Sequence, residues 1–369
     1  MRILFTLVFL LLTFNCSASE TVRVAIIQDA SSLSLKIKGF FEARDLETGK
    51  VIYRARSINT TVTAYKNGIM FGGMKSESNR LFIKSDDPEI FIINEKMFRG
   101  NIQLIKKANG KLLVVNCIEL EDYVKGILYQ ESSHYWPMEV LKAQAIISRT
   151  YALYQMQGNK QKDFDMTNDI YSQVYGGQAS ERYRTNKAVD ETAGKVLFYK
   201  GKIIPAYFHA TCGGHTEDAS ALWKIDLAPL KGVACGFCRE SPHFNWHYDL
   251  SLKEIEDKLS REGFKIKNIT NLKILGRDKS GRVTDLKIIS ANKEEKIPAK
   301  DFRNIIGPNN INSTNFSVNV VGSDAVFEGI GWGHGVGLCQ WGAYFMAKQG
   351  YTAEQILKYY YPGVNVKTF

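Results

Sequence analysis

The first third of the chain carries short hydrophobic runs separated by turn residues. The run 22–27 alternates weakly between apolar and polar positions, and segment 111–116, with four consecutive apolar residues at its centre, is typical of a buried strand. Segments 47–50 and 107–111 each contain a glycine in a hairpin-like turn. We therefore predict a β-rich part over residues 19–115 that serves as a scaffold.

A helical pattern follows Pro137, which suits a first helical position because its missing N–H has no partner there in any case. We predict a helix from residue 138 to about 157, ended by Gly158, and an extended acidic motif before it. Arg149 shares a face of this helix with small apolar residues. Since a buried arginine is usually paired, Asp122 or Glu139 would be its partner.

The second half of the chain predicts mixed elements. Two strands flank a turn at 200–202, Ser251 caps a helix that runs to residue 262, and a short helix ends at Gly307. Thr352 and Gln355 form a capping box that opens a late helix. The predicted fold class is α+β: a core over 116–244, an inserted α+β subdomain over 245–325, and residues 326–369 completing the core.

The N-terminus predicts export. Arg2 precedes an apolar run over 3–14 and a small-residue exit at 16–18, which is typical of a signal peptide over residues 1–18. Cleavage after Ala18 would remove Arg2 and change the net charge from +10 to +9 (10 minus 1), so the basic character, with a pI near 9.1, belongs to the mature chain. The charge alone suggests nucleic acid as a partner, but export argues against it.

Cys16 offers an alternative to a cleaved signal peptide. It would be the lipid-bearing cysteine of a lipoprotein anchored to a membrane. That interpretation requires leucine three residues earlier and a small residue just before, where the chain has Thr13 and Asn15.

Glu131 is a candidate general acid. Apolar surroundings can keep a carboxyl protonated near neutral pH, and Lys142 and Arg149 on the following helix could bind an anion. Three aromatic residues near it in sequence would exclude water: Tyr129, Tyr135 and Trp136. The alternative is that Glu131 only caps the helix.

Segment 331–337 alternates glycine with larger residues, which would let backbone N–H groups approach a ligand. It is not a dinucleotide fingerprint, because the Gly-x-Gly-x-x-Gly spacing fails in every frame. His334 could bind substrate, orient Glu131, or be structural. Trp332 and Trp341 could stack on a ligand or fill the core.

Two pairs of soft ligands predict a closed, structural zinc site: Cys212, His215, Cys235 and Cys238. His209 competes with His215 for the fourth position. Since export favours disulfides, a bond among these cysteines is the alternative. Cys117 and Cys339 are predicted to be buried free thiols.

Several motifs together resemble the stage II sporulation protein D (SpoIID/LytB) family, from about Val22 to near the C-terminus. The matching positions are Leu120 to Tyr123, Gly126, Glu131, Trp136-Pro137, Glu139, Leu141 to Ala145, Arg149 to Ala152, Ser172 to Gly177, His209 to Gly214, and Gly331 to Ala343.

The resemblance implies an exported lytic transglycosylase that cleaves peptidoglycan glycan strands, or an enhancer of a cell-wall amidase. Glu131 would act as a single general acid and base and leave 1,6-anhydromuramyl ends. The implied substrate-binding residues are Lys142, Gln144, Arg149, Ser172, Gln173, Tyr175, His209, His334 and Gln340.

The expected partners are glycan strands, with peptide-free strands suiting a basic groove, and an amidase. The chemistry needs no cofactor, so zinc would only clamp the fold, although a zinc hydrolase using His209 and Cys212 is a third hypothesis that the four-ligand count disfavours. The expected location is the periplasm or the cell wall.

Overall fold

The computed structural model of the protein describes residues 20–85, 91–169 and 172–369. The predicted signal peptide and Cys16 lie outside the described residues. The α+β fold class is confirmed. Within the described ranges, no helix is long and apolar enough to cross a membrane.

The N-terminal part is built on one large sheet, whose order is β11-β1-β10-β9-β6-β2-β3-β4-β5, with β7 paired to β2 and β8 paired to β7. Its strands are β1 Thr21–Ala30, β2 Ser32–Asp45, β3 Val51–Tyr65, β4 Gly68–Phe71, β5 Met74–Ser76, β6 Arg80–Ser85, β7 Phe91–Ile93, β8 Lys96–Phe98, β9 Asn101–Lys106, β10 Leu112–Glu119 and β11 Met166–Thr167. Both predicted turns connect neighbouring antiparallel strands. Every residue of β10 except Glu119 is buried, as the apolar run predicts.

The helices are α1 Leu120–Glu131, α2 Met138–Gly158, α3 Tyr183–Asp190, α4 Ala219–Trp223, α5 Leu252–Arg261, α6 Ala299–Ile306, α7 Gln340–Lys348 and α8 Ala353–Tyr360. The remaining strands are β12 Lys195–Tyr199, β13 Lys202–Ile203, β14 Phe208–His209, β15 Asn245–Ser251, β16 Ile269–Arg277, β17 Val283–Ser290, β18 Glu294–Pro298, β19 Phe316–Val321, β20 Asp324–Ile330, β21 Leu338–Cys339 and β22 Asn365–Thr368.

The acidic motif before α2 is helical, so its prediction as extended is wrong. Its buried side chains, Leu120, Tyr123, Val124, Ile127 and Leu128, follow the spacing of one helix face. That stripe was visible in the sequence and is the signal that the prediction overlooked. Residue 131 continues the same stripe, which turns the last residue of α1 toward the interior.

Helix α2 is confirmed, and Arg149 lies fully buried on it. The Arg149 guanidinium donates to both carboxylate oxygens of Glu121 at 2.8 and 2.6 Å and to the carbonyl of Lys195 at 2.9 Å. The predicted partners, Asp122 and Glu139, are therefore wrong. The expected anion-binding role is corrected too, because the Arg149 donors are used inside the fold to join α1, α2 and β12.

The inserted subdomain has its own core between the sheets β15-β20-β19 and β16-β17-β18 and the helices α5 and α6. Ser251 caps α5 as predicted, accepting the N–H of Glu254 at 3.1 Å. Gly307 ends α6. The predicted limit at residue 325 falls inside β20, which pairs with β15 and β19 as far as Ile330.

A short parallel pair, β14 with β21, lies where the core meets the subdomain. It joins the segment around His209 to the end of the glycine-rich segment, which are far apart in sequence. The capping box of Thr352 and Gln355 opens α8 as predicted. The fold therefore brings three separate sequence motifs to one place: the end of α1, β14 and β21.

Candidate functional site

Glu131 ends α1 and faces a cavity of about 560 Å³. The Glu131 Oε1 atom accepts the backbone N–H of Val174 at 3.0 Å. Helix α2 begins at Met138 after the N-cap residue Pro137, without a side-chain cap, so Glu131 does not cap that helix, the alternative that the sequence left open.

Burial raises the pKa of the Glu131 carboxyl to about 7, and the Val174 hydrogen bond opposes that rise only in part. A helix C-terminus carries partial negative charge, which also disfavours a carboxylate at that end. Glu131 is therefore poised to hold or release a proton near neutral pH.

The cavity lies between the core and the inserted subdomain. Its lining residues include Glu131, Tyr151, Ser172, Val174, Tyr207, Phe208, His209, Leu222, Trp223, Lys300, Arg303, Asn304, Pro308, Asn309, Thr314, Trp332, His334 and Gln340. Among the described residues of this lining, Glu131 is the sole carboxylic acid. A single titratable acid thus faces an aromatic and amide-rich chamber.

Of the nine predicted substrate-binding residues, four line this cavity: Ser172, His209, His334 and Gln340. Arg149 is used in the core, and the Lys142 ammonium pairs with Glu139 at 3.2 Å and Glu191 at 2.9 Å. Lys142 is absent from the cavity wall, which corrects its predicted role as an anion ligand.

Three other predicted sugar contacts are buried behind the cavity wall: Gln144, Gln173 and Tyr175. Gln173 accepts the Tyr123 hydroxyl at 3.1 Å, and Tyr175 donates to Asn116 at 2.7 Å. Their placement corrects the prediction of direct sugar contact. Gln173 and Tyr175 instead hold the backbone around Val174, whose N–H reaches Glu131, while Gln144 bonds to Ser148 and Gln340.

Gln340 supports the site from β21 and α7. Its amide nitrogen donates to the main-chain carbonyl of Glu131 at 2.9 Å and to the side chain of Gln144 at 3.2 Å. Since carbonyls at a helix C-terminus have no partner within the helix, the first bond satisfies one of them. Gln340 therefore fixes the end of α1 at the cavity.

The two cavity histidines differ in what they offer a ligand. His209 Nδ1 contacts the carbonyl of Val336 at 3.1 Å, so it must be the donor, which leaves Nε2 as a bare acceptor. His209 Nε2 is buried without a partner among the described residues. Burial lowers the pKa of His209 well below its usual value, so the ring stays neutral.

His334 is held by the backbone on both sides of its ring. Its Nδ1 accepts the N–H of Val336 at 3.1 Å, and the ring also hydrogen-bonds the backbone of Phe208. Burial lowers the pKa of His334 to about 3. This arrangement favours a structural role for the ring, which lines the cavity without a free nitrogen.

The glycine-rich segment approaches its own chain rather than presenting open backbone to a ligand. A Cβ at Gly333 would lie 2.7 Å from the Cβ of His209, and one at Gly337 would collide with the Tyr207 carbonyl. Both glycines have positive φ. The glycines therefore let β21 pack against the His209 segment, which corrects the sequence interpretation.

The aromatic wall also differs from the prediction. Tyr135 is 82% exposed, Tyr129 packs under Arg182, and Trp136 packs on Trp341. None of these three predicted shielding residues lines the cavity; Tyr151, Tyr207, Phe208, Trp223 and Trp332 do. These residues come from four separate parts of the chain, so sequence proximity to Glu131 was a poor guide.

Beside the cavity, four buried cysteines form a cluster that could hold a metal ion: Cys212, Cys235, Cys238 and Cys339. Their sulfur atoms all lie within 4.8 Å of one another. A tetrahedral metal with sulfur about 2.3 Å away needs sulfur–sulfur separations of about 3.8 Å. Among the described cysteines none forms a disulfide.

Hydrogen bonds to sulfur support the fit of these residues to a metal. The N–H groups of Cys212 and Gly342 both donate to Cys339 Sγ at 3.3 Å, and Gly214 N–H donates to Cys212 Sγ at 3.4 Å. Such donors stabilise thiolates, the form that binds metal.

The predicted ligand His215 is wrong, because its Nδ1 contacts the Thr216 carbonyl at 2.6 Å outside the cluster. His209 is not a member either. Cys339, predicted to be an isolated buried thiol, supplies the fourth sulfur.

Comparisons with known proteins assign the chain to a family. A family model described as stage II sporulation protein matches residues 108–199, and a domain of unknown function (DUF8618) matches residues 232–337. The stage II sporulation protein D of Bacillus subtilis is 31% identical over 72% of this chain and 78% of its own length. The chain belongs to the stage II sporulation protein D family.

Two other relatives show how far the similarity extends. An uncharacterized protein of Brachyspira hyodysenteriae is 35% identical over 94% of this chain and 92% of its own length. The amidase enhancer of Bacillus subtilis is 27% identical over 67% of this chain but 40% of its own length. The family resemblance given by the motifs is thus confirmed.

The family match at 108–199 contains α1 and α2, and hence Glu131. The second match contains most of the inserted subdomain, which supplies Lys300 and Arg303 to the cavity. Sequence reasoning missed both cations, because nothing local distinguishes them from the other basic residues of a chain with 48 lysines and arginines.

Proposed function

We propose that this protein is an exported lytic transglycosylase that cleaves peptidoglycan glycan strands with Glu131 as its general acid and base. One observation carries the proposal: Glu131 is the sole carboxyl among the described residues of the cavity, and burial raises its pKa to about 7. Hydrolysis by the usual glycosidase routes requires a second carboxylate, whereas transglycosylation requires one.

The proposed reaction uses the proton twice. The protonated Glu131 donates to the glycosidic oxygen as its bond to the muramyl C1 breaks. The resulting carboxylate then removes the proton from the C6 hydroxyl of the same sugar, whose oxygen bonds to C1. The product is a 1,6-anhydro end, and no water is consumed. Acid and base assistance of this kind contributes about 10² to 10⁴ in rate.

The rest of the cavity suits a sugar. Tyr207 and Trp223 lie with ring centroids 4.3 Å apart, and their faces offer stacking surface. His209 Nε2, as an unpartnered acceptor, can accept a hydrogen bond from a sugar hydroxyl. Export, which the N-terminal pattern predicts, would bring the protein to such a substrate in the periplasm or cell wall.

The four-cysteine cluster, we propose, holds a structural zinc ion. Four thiolates are a common closed ligand set for zinc, which then clamps the fold. Because all four positions would be taken by protein, the ion would leave no site for water or substrate. This disfavours the zinc-hydrolase hypothesis and leaves the chemistry to Glu131.

The alternative is a non-catalytic enhancer of a cell-wall amidase, which the similarity to the Bacillus subtilis amidase enhancer supports. Such a protein would bind glycan in the same cavity without needing a titratable Glu131. The observed burial of that carboxyl favours the enzyme.

The deciding experiment digests purified glycan strands with wild type and Glu131→Gln and measures anhydro ends by mass spectrometry. We expect wild type to generate them and Glu131→Gln to lose at least about 10² in rate. The wild-type rate should fall as pH rises above 7, because the acid form is then depleted.

Glu354→Gln is the matched control, since Glu354 is an exposed acid on α8 that pairs with Lys358. It should cleave like wild type. Full activity in Glu131→Gln would overturn the proposal that Glu131 is the general acid and base. Glycan binding without any cleavage in wild type would favour the enhancer.

A further inference from the structure

Part of the cavity wall comes from the inserted subdomain. The lining residues on α6 and the chain after it are Lys300, Arg303, Asn304, Pro308, Asn309 and Thr314. This segment lies within the match to a domain of unknown function. Its side chains face the same space as Glu131, so the subdomain forms part of the cavity wall.

The charge of the cavity is unbalanced. Lys300 and Arg303 are its two cations, and both histidines stay neutral because burial lowers their pKa values. When Glu131 is protonated, no anion remains among the described lining residues. The cavity would then carry two positive charges, one on the half-buried Arg303 and one on the exposed Lys300.

Arg303 is half-buried and differs from the two fully buried arginines in the described part of the chain. Arg149 pairs with Glu121, and Arg282 lies 3.8 Å from Glu217. Arg303 donates only to the carbonyls of three residues, Pro308, Ile311 and Asn312. It pairs with none of the described carboxylates, and burial lowers its pKa to about 10. A ligand anion would supply the missing charge.

Lys300 lies three residues before Arg303 on α6, so the two cations share one helix face. The Lys300 ammonium donates to the Leu222 carbonyl at 2.9 Å, which places it against α4 at the cavity edge. An ammonium has three donors, and this bond uses one of them. Like Arg303, Lys300 has no carboxylate partner in the described ranges.

We propose that Lys300 and Arg303 form an anion subsite that binds a carboxylate of the glycan substrate. The carboxylate could come from the acid side chain of the sugar or from an attached peptide, and the same subsite chemistry serves both. This inference rests on the proposed function, since it assumes that a glycan occupies the cavity. It assigns a substrate-recognition role to the inserted subdomain.

The test measures binding of peptide-free glycan fragments to full-length protein carrying Glu131→Gln, so that the fragments stay intact. Lys300→Gln is compared with Lys273→Gln, an exposed lysine of β16 in the same subdomain that lies outside the cavity. The second ligand is the same fragments with their carboxyls converted to methylamides. A third arm uses peptide-bearing fragments.

We expect Lys300→Gln to weaken binding of the carboxylated fragments about fivefold. Lys273→Gln should bind like its parent, and the amidated fragments should bind both variants equally. A preference for peptide-free over peptide-bearing fragments that Lys300→Gln removes would assign the carboxylate to the sugar, and the reverse preference would assign it to the peptide.

Arg303→Gln and Arg303→Lys test the second cation, with thermal unfolding as the check on folding. Arg303→Lys should retain more affinity than Arg303→Gln, because it keeps the charge. Equal affinity in Lys300→Gln and Lys273→Gln, or an equal loss on amidated fragments, would overturn the subsite.

The two proposals can fail separately. If protein with Glu131 intact gives no anhydro ends while Lys300→Gln still weakens only the carboxylated ligand, the enzyme proposal fails and the anion subsite stands. If cleavage depends on Glu131 but the lysine variants bind alike, the reverse holds.

Discussion

The Glu131 cavity and the four-cysteine cluster are two groups of ionisable side chains that share two segments of chain, at 209–212 and 339–340. The cavity is open and contains an acid with a raised pKa, together with the unpartnered acceptor of His209. The cluster is closed, and two of its sulfur atoms accept backbone N–H groups. A buried polar group without a hydrogen-bond partner, as in the cavity, indicates a place where a ligand can bind. Sulfur atoms that already accept hydrogen bonds, as in the cluster, indicate a structural role.

Neighbouring residues divide between the two sites. Cys339 belongs to the cluster, and Gln340 beside it lines the cavity and holds the end of α1. On the partner segment, His209 lines the cavity and Cys212 belongs to the cluster. A metal in the cluster would therefore fix the cavity wall without taking part in the chemistry.

The largest expected effect is that of Cys339→Ser, which tests whether the cluster is a structural clamp. If the cluster binds structural zinc, losing one of its four ligands should lower the free energy of unfolding by more than about 3 kcal/mol and reduce the bound zinc. Denaturant unfolding and metal analysis, with and without a chelator, measure both.

His215→Ala and Cys117→Ser serve as controls for the cluster. His215→Ala should keep the metal, because His215 lies outside the cluster, and Cys117→Ser should cost only about 1 kcal/mol. Metal retained in Cys339→Ser but lost in His215→Ala would show that the sequence-based ligand set was right after all.

The Glu131 side of the comparison predicts a pH-dependent stability. The folded state disfavours the Glu131 carboxylate, so its penalty is absent below the ordinary pKa of 4.5 and complete above about 7. Glu131→Gln should therefore be more stable than wild type at pH 8, by up to about 3 kcal/mol, and equally stable at pH 4. Urea unfolding at both pH values tests this. An equal difference at the two pH values would contradict a raised pKa.

The smallest expected effect is at His209. Removing its free acceptor with His209→Gln should raise KM for glycan by about fivefold, the equivalent of about 1 kcal/mol for one hydrogen bond. His215→Gln is the matched control and should leave KM unchanged. Steady-state cleavage kinetics decide, and a loss confined to kcat would instead place His209 at the reacting atoms.

Much of the framework could be predicted from local patterns. The end of α2 at Gly158, the cap of α5 at Ser251 and the capping box of α8 all follow from residues within one helical turn of the feature. Helix α1 was equally predictable from its buried stripe, and was overlooked because the acidic residues drew attention instead. Glu131 itself was singled out by its motif.

The wrong site assignments have a common origin: contacts between residues that are far apart in the chain cannot be read from local sequence. Arg149 was assigned to the ligand because its carboxylate partner, Glu121, lies 28 residues away across two helices. Cys339 was left out of the metal set because it lies 101 positions after Cys238 (339 minus 238). Lys142 was placed at the site on sequence proximity, yet its charge is neutralised by its own surface neighbours.

The amino-acid sequence by itself determined the ends of α2, α5 and α8, the turns and the family, and made Glu131 the candidate acid, since each depends on residues close together in the chain. Only the tertiary structure decided which side chains face the cavity, which arginines are already paired and which four sulfurs meet. Those outcomes depend on burial and on contacts between distant segments, where a charge or thiol takes its role from whatever the fold brings within about 4 Å of it.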